Sequence, residues 1–345
     1  MHALNTDETF DLVIHHIGNS TANEGTHLSK TLTFYPPEMA ETLYDYFQKQ
    51  FRTEEYFHFF DEENIDENEV YSAVKSIFED PAQLLQNSVK IAQKLYSVSG
   101  SSKTVGGELF VVYFPDSLIE GENAAAVGIF KSEIKERILK AIPNQNNYDL
   151  SLDAGIPLSK MDKGCLIFNI ESDEGFVLCS VDKGKGDDFG IWADEFLGIK
   201  QREDEFFDTE NTLSLCKSFV MDQMPEEFEV NRVDQADLLN RSVNFFKESD
   251  TFEIEDFADK VLAQEELKQS FNNYKNKFEE VYDIELNDHF DISKNAVKKH
   301  ARFFKSIIKL DKNFHIYVHG NRSMIEQGVD DEGKKYYKLY YDAEN

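Results

Sequence analysis

Cysteine is scarce in this chain, which has three: Cys165, Cys179 and Cys216. An odd number without Cys-x-x-Cys spacing suggests neither a disulfide framework nor a zinc site. Cys165 and Cys179 fall inside apolar runs, where buried, reduced thiols are expected. Long apolar stretches are also missing, none approaching the roughly 18 residues of a membrane span. The start, Met1-His2-Ala3-Leu4-Asn5, lacks the basic and apolar regions of a secretory leader. The expectation is a cytoplasmic protein with no membrane association. Basic residues are few: 36 Lys and Arg stand against 66 Asp and Glu, a net charge of −30. Such a surface favours solubility and repels nucleic acid as a whole. A DNA-binding role therefore requires a local exception. Tryptophan occurs once, at Trp192, where a core anchor between sheet and helix is expected rather than a platform for a base.

What is present suffices for a core. Hydrophobic residues make up 41% and aromatics 13% of 345 residues, a length that one core seldom fills. Composition shifts after Val220: from Asp222 to Asp259 there are twelve acids and three basic residues. The expected domains are 1–221, an N-terminal α+β domain, and 222–345, a helical C-terminal domain.

Residues 10–17 and 28–34 read as strands. His15 and His16 lie on the first of them and point to opposite faces, so they are poorly placed to share a metal. Neither a metal nor a cofactor is expected. Pro36-Pro37 opens a helix with Met39, Leu43, Tyr46, Phe47 and Phe51 on its buried face. The acidic stretch 53–69 has no Lys or Arg and lacks the turn glycine of an EF-hand; it reads as a solvated connection. Helices at 70–78 and 82–96 are parted by Asp80-Pro81. Strands at 108–114 and 124–130 and a helix at 132–142 come next. A hairpin follows, its apolar runs 165–170 and 176–181 joined by Glu171-Ser172-Asp173-Glu174-Gly175. The expected fold class is α+β: a mostly antiparallel sheet with covering helices. A helical region with helices near 234–247, 254–262 and 265–282 completes it, ending in a small strand and hairpin at 314–318, 324–329 and 335–341.

Pro115-Asp116 followed by Glu133-Ile134-Lys135 has the form of a Mg²⁺-dependent nuclease site. In such a site Asp116 and Glu133 would hold the ion and Lys135 would steady the attacking water. The pattern is short, and Glu133 and Lys135 fall where a helix is expected to begin, so no catalytic residue is expected. In Asp182-Lys183-Gly184-Lys185-Gly186 the glycines would let backbone N–H groups approach an anion, and Lys183 and Lys185 would add charge. Asp182, Asp187 and Asp188 oppose that field.

The main exception to the acidity is 294–322. There Lys294, Lys298, Lys299, Arg302, Lys305, Lys309, Lys312 and Arg322 stand against Asp311, a net charge of 8 − 1 = +7. On one helix, Lys294, Lys298, Arg302, Lys305 and Lys309 would fall within about 80° of one another. Val297, Ala301, Phe304 and Ile308 would fill a separate arc, and Ser293 could cap the start. Lysine is a point charge without the planar fork that reads guanine, so this ridge suits phosphates and not bases. The expected DNA-contacting residues are Lys294, Lys298, Lys299, Arg302, Lys305 and Lys309, helped by Lys183 and Lys185.

Between 158 and 220 a strand pair leads through a polar loop into a segment ending in Phe196-Leu197-Gly198, and a helix follows. Near the end, Phe290-Asp291-Ile292 leads into the basic segment, a strand and a final hairpin. In arrangement and wording the chain resembles the bacterial nucleoid-associated protein family of the NdpA type, over nearly its full length. The resemblance implies a non-enzymatic protein of the nucleoid that associates with double-stranded DNA through its phosphate backbone, with other nucleoid proteins as further partners. A homodimer is expected to double the number of basic ridges and raise avidity. The alternative reading is an acidic adaptor or DNA mimic that binds DNA-handling proteins; a Mg²⁺-dependent nuclease is the weaker rival.

Overall fold

The runs Leu109-Phe110-Val111-Val112 and Cys165-Leu166-Ile167-Phe168 are buried at every position, which requires a sheet covered on both faces. A computed structural model describes residues 2–5, 9–100, 105–183, 190–301, 304, 307–310, 312–317 and 324–343. The chain forms two compact units, Met1–Arg202 and Glu203–Asn345.

The first unit runs β1 (His2–Leu4), β2 (Asp11–Ile17), β3 (Thr26–His27), α1 (Ala40–Gln48), β4 (Phe57–Phe59), α2 (Glu69–Glu79), α3 (Leu84–Val98), β5 (Gly107–Ile119), β6 (Glu122–Ser132), β7 (Glu136–Asn144), β8 (Asn147–Gly155), β9 (Lys163–Phe168), β10 (Val177–Asp182) and β11 (Ile199–Gln201). A π-helical segment, Ile191–Leu197, precedes the last strand. One antiparallel sheet has the order β11-β4-β10-β9-β6-β5-β2-β3, with β1 also on β5. Alternate side chains serve two cores. Val111, Val127, Ile129, Cys165 and Ile167 pack with Val74 of α2, Ile91 of α3 and Trp192. Val112, Phe114, Phe130, Leu166 and Phe168 pack on the other face with Tyr44 and Phe47 of α1. Phe130 stacks on Phe47 at 4.6 Å between ring centroids. Gly128 makes room for that ring, because a Cβ there would lie 2.3 Å from it. The fold is α+β, as the apolar runs indicate.

Three local expectations differ from what is found. Residues 28–34 form no strand. They follow β2 through single bonds, the Thr33 amide to the Leu12 carbonyl at 2.7 Å and the Ile14 amide to Thr33 Oγ1 at 3.2 Å. The acidic connection contains β4, a three-residue strand held between β10 and β11. Residues 132–142 form no helix. Glu136–Asn144 is a strand paired with Asn147–Gly155, and Gln145 takes a positive φ of 42° at the turn. Ile138, Leu139 and Ile142 have helix-compatible spacing; the alternating Tyr148, Leu150 and Leu152 of the partner strand favour β pairing instead.

The second unit contains α4 (Glu205–Ser218), α5 (Met224–Glu227), α6 (Arg232–Glu248), β12 (Thr251–Glu253), α7 (Ile254–Phe257), α8 (Glu265–Tyr282), β13 (His289–Asp291), α9 (Lys294–Ala301), β14 (Ile307–Leu310), β15 (Phe314–Tyr317), β16 (Ile325–Val329) and β17 (Lys335–Leu339). Asn231 and Asp234 close a capping box at the start of α6, satisfying amides that the first turn leaves unpaired. Phe246, Phe252 and Phe290 stack in the core, with Phe252 and Phe290 facing each other across the β12–β13 pair at 4.8 Å. Two hairpins, β14–β15 and β16–β17, end the chain. Among the described residues, no helix is long and apolar enough to cross a membrane.

Candidate nucleic-acid interface

Helix α9 is anchored before it is charged. The Ser293 amide donates to Thr209 Oγ1 of α4 at 3.0 Å, and Ser293 Oγ accepts the Ala296 amide at 3.3 Å, so the cap is tied to the neighbouring helix. Ala296 and Val297 are buried, and the helix packs on α4 and α6. Its opposite side therefore meets solvent.

On that side Lys294 and Lys298 are exposed. Lys294 Nζ donates to the Ser249 carbonyl and lies 3.2 Å from Asp250 Oδ1, a carboxylate that is almost fully exposed. An exposed pair of this kind contributes little and is easily exchanged. Lys298 has no hydrogen-bond or ion-pair partner among the described residues. Lys299 is turned inward. Its Nζ lies 3.1 Å from Glu210 Oε1 and 5.3 Å from the centroid of the Phe206 ring. His300 Nε2 shares the same Glu210 oxygen.

The single helix expected over 294–309 is not formed. Helix α9 ends at Ala301, and Ile307–Leu310 is a strand that pairs with Phe314–Tyr317, placing Lys309 opposite His315. Phe304 and Ile308 have helix spacing, but Ile308 is buried beside Val233 and Ala236 as part of the β14–β15 hairpin. Short apolar runs with β-branched residues fit either period. A single five-residue stripe is therefore replaced by a short cationic helix followed by a strand. Arg302 and Lys305 lie outside the described residues, as does Lys185.

Lys183 belongs to the first unit. Its Nζ donates to Gln50 Oε1 at 2.8 Å, and its amide donates to the Asp162 carbonyl at 2.9 Å. Sequence reasoning passed over two other lysines of that unit, Lys131 and Lys163, which are buried on facing strands. It also missed Glu210, which pairs with Lys299 and His300 of α9. Only tertiary pairing between α4 and α9 reveals that role; no local pattern marks it.

The nuclease-like residues are not brought together. The β5–β6 register places Glu108 opposite Ser132 and Ser117 opposite Ala124. Asp116 and Glu133 thus lie near opposite ends of the hairpin, separated by roughly 25 Å at the usual strand rise. Asp116 accepts from Asn5 Nδ2 at 2.7 Å; Glu133 holds Lys131 at 2.8 Å, and Lys135 pairs with Glu108 at 2.7 Å. His58, Glu171 and Glu174 are the one group of potential metal ligands close enough to share an ion among the described residues. There Glu171 is engaged by His58 at 2.7 Å and by Arg202 at 2.6 Å, which makes an ion-pair cluster. Trp192 is 1% exposed and packs against Phe196 at 4.8 Å, a core position.

A family model described as nucleoid-associated protein YejK matches residues 13–334. No curated protein matches the chain.

Proposed function

The chain belongs to the nucleoid-associated protein YejK family, and from that premise we propose a non-enzymatic protein of the nucleoid that contacts the phosphate backbone of double-stranded DNA with little sequence preference. The observation that carries the contact is local charge. Residues 294–322 hold +7 within a chain of −30, and Lys294 and Lys298 stand on the exposed side of an anchored helix. In this reading Arg302, Lys305 and Lys309 are further contacts of the same segment, and Lys183 and Lys185 are separate phosphate contacts of the first unit.

Each lysine at a phosphate releases condensed counterions, so binding weakens with salt. Five contacts give a log–log slope of roughly −4 to −5. The acidic remainder limits affinity and confines the contact to the basic segment. Two copies of the chain double the number of such segments. A gel-shift titration at low and high salt tests the reading. Reversing Lys298, Arg302 and Lys305 to Glu abolishes a salt-sensitive shift, whereas an undiminished shift sinks it.

The second reading is an acidic adaptor for DNA-handling proteins. It is favoured by Glu210, which draws Lys299 and His300 toward the protein's own acid. No shift at any salt would select it.

A further inference from the structure

We propose that the β7–β8 hairpin is a dimerisation arm whose occupant is the same hairpin of a second copy of this chain. The proposal extends the two-copy reading above by naming the surface, and the DNA contact does not depend on it.

Among the described residues β7 and β8 pair with each other and with no other strand. Each has nine residues, so the ribbon is about 30 Å long at the usual rise. A two-stranded ribbon standing alone is at best marginally stable in water. This one has a face that calls for cover. Cross-strand partners share a side, and every second pair falls on the same side. One side carries four rows: Arg137 with Ala154, Leu139 with Leu152, Ala141 with Leu150, and Pro143 with Tyr148. Leu139, Leu152 and Tyr148 are each 63% exposed and Leu150 is 69% exposed. The other side carries most of the polar residues, among them the Lys140–Asp153 pair and the Asn144–Asp149 hydrogen bond of 2.9 Å.

Three features favour a second copy as the occupant. First, the four rows are complementary to themselves under a two-fold axis. Antiparallel stacking sets the Leu139/Leu152 row on the smaller Ala141/Leu150 row of the other copy. It also sets the Arg137/Ala154 row on the Pro143/Tyr148 row of the other copy, where the guanidinium can reach diagonally over the tyrosine ring. Parallel stacking would oppose Arg137 to its own copy. Second, Arg137 is the one formal charge on this side, so two chains of −30 can meet here without acid facing acid. Third, exposed apolar patches of a few hundred Å² mark interaction sites, and two of them face to face approach the roughly 1,000 Å² that a specific interface needs.

Sedimentation velocity on the full chain tests the arm. The wild type is expected at twice the 39.9 kDa chain mass. Leu150→Glu/Leu152→Glu is expected to sediment as a monomer, and Ile142→Glu, on the polar side, to remain a dimer. A wild-type monomer, or a dimer retained by the Leu150/Leu152 variant, overturns the proposal. The stacking sense has its own readout. In Arg137→Cys/Tyr148→Cys the two thiols are about 20 Å apart along one arm, too far to be joined internally by a cross-linker of about 10 Å. The native cysteines are buried, and stacked faces lie about 10 Å apart, so a bismaleimide of about that span should give a covalent dimer on a gel, which neither single variant gives under antiparallel stacking. Absence of that product contradicts antiparallel stacking. DNA binding measured on the same samples separates the two ideas: a wild-type monomer that still shifts DNA overturns the arm alone.

Discussion

Lys299 Nζ lies 3.1 Å from Glu210 Oε1, so one cation of the basic segment is held by a carboxylate of its own chain. Replacing Glu210 by Gln removes that pull from Lys299 and His300 together. DNA affinity is then expected to rise several-fold at low salt, and the log–log salt slope to steepen by about one, the increment of one added phosphate contact. Fluorescence anisotropy on Glu210→Gln checks this; an unchanged slope would mean that Lys299 never reaches a phosphate.

A second pairing concerns stability. Lys131 on β6 stands directly opposite Lys163 on β9, and both are buried. Like charges in facing positions repel, so each needs its own acid. Lys131 has Glu133 at 2.8 Å and the Val105 carbonyl at 3.0 Å; Lys163 has Asp182 at 3.0 Å. Asp182→Asn leaves Lys163 with an uncompensated charge and is expected to cost about 3–5 kcal/mol of unfolding free energy. Lys163→Met/Asp182→Asn, which removes both charges, should recover most of that loss in urea denaturation. Equal stability of the two variants would show that the pair is not structural.

His15 adds a pH dependence. Its Nδ1 accepts the Ser29 amide at 3.1 Å and its Nε2 lies 3.0 Å from Ser88 Oγ, so the neutral ring with its proton on Nε2 fits. Burial lowers its pKa to about 4. The folded pKa lies below the unfolded one, so the unfolded chain binds more protons between them. This contribution is complete above about pH 6.5 and is lost as pH falls toward about 4, by roughly 3 kcal/mol. His15→Gln should flatten the stability–pH curve in that window. Parallel curves for the two proteins would rule the histidine out.

The cysteines give a simple test of the cores. Cys165, Cys179 and Cys216 are buried, and desolvation raises all three thiol pKa values. A thiol reagent should label none of them in the native protein and all three after unfolding, because the thiolate is the reactive form. Rapid native labelling of any one would contradict the packing.

Much of the first unit was legible because its strands are buried on both faces and read as apolar runs at 108–114, 124–130, 165–170 and 176–181. Helices α6 and α8 were legible through one-sided apolar spacing. The arm was missed because Ile138, Leu139 and Ile142 fit a helix until Tyr148, Leu150 and Leu152 are considered as a partner strand. Strand β4 escaped notice because three residues among acids carry no period; pairing with β10 and β11 makes them a strand. At the candidate interface the concentration of charge was visible. The strand at Ile307–Leu310 and the capture of Lys299 by Glu210 were not, since both are set by tertiary contacts.

The most direct measurement is DNA affinity as a function of salt, for the wild type and for Lys294→Glu/Lys298→Glu. A basic segment that grips phosphates predicts a linear log–log dependence with a slope of roughly −4 to −5, and a loss of about two in that slope for the double variant. No binding at low salt, or binding that neither salt nor the charge reversals alter, would contradict it.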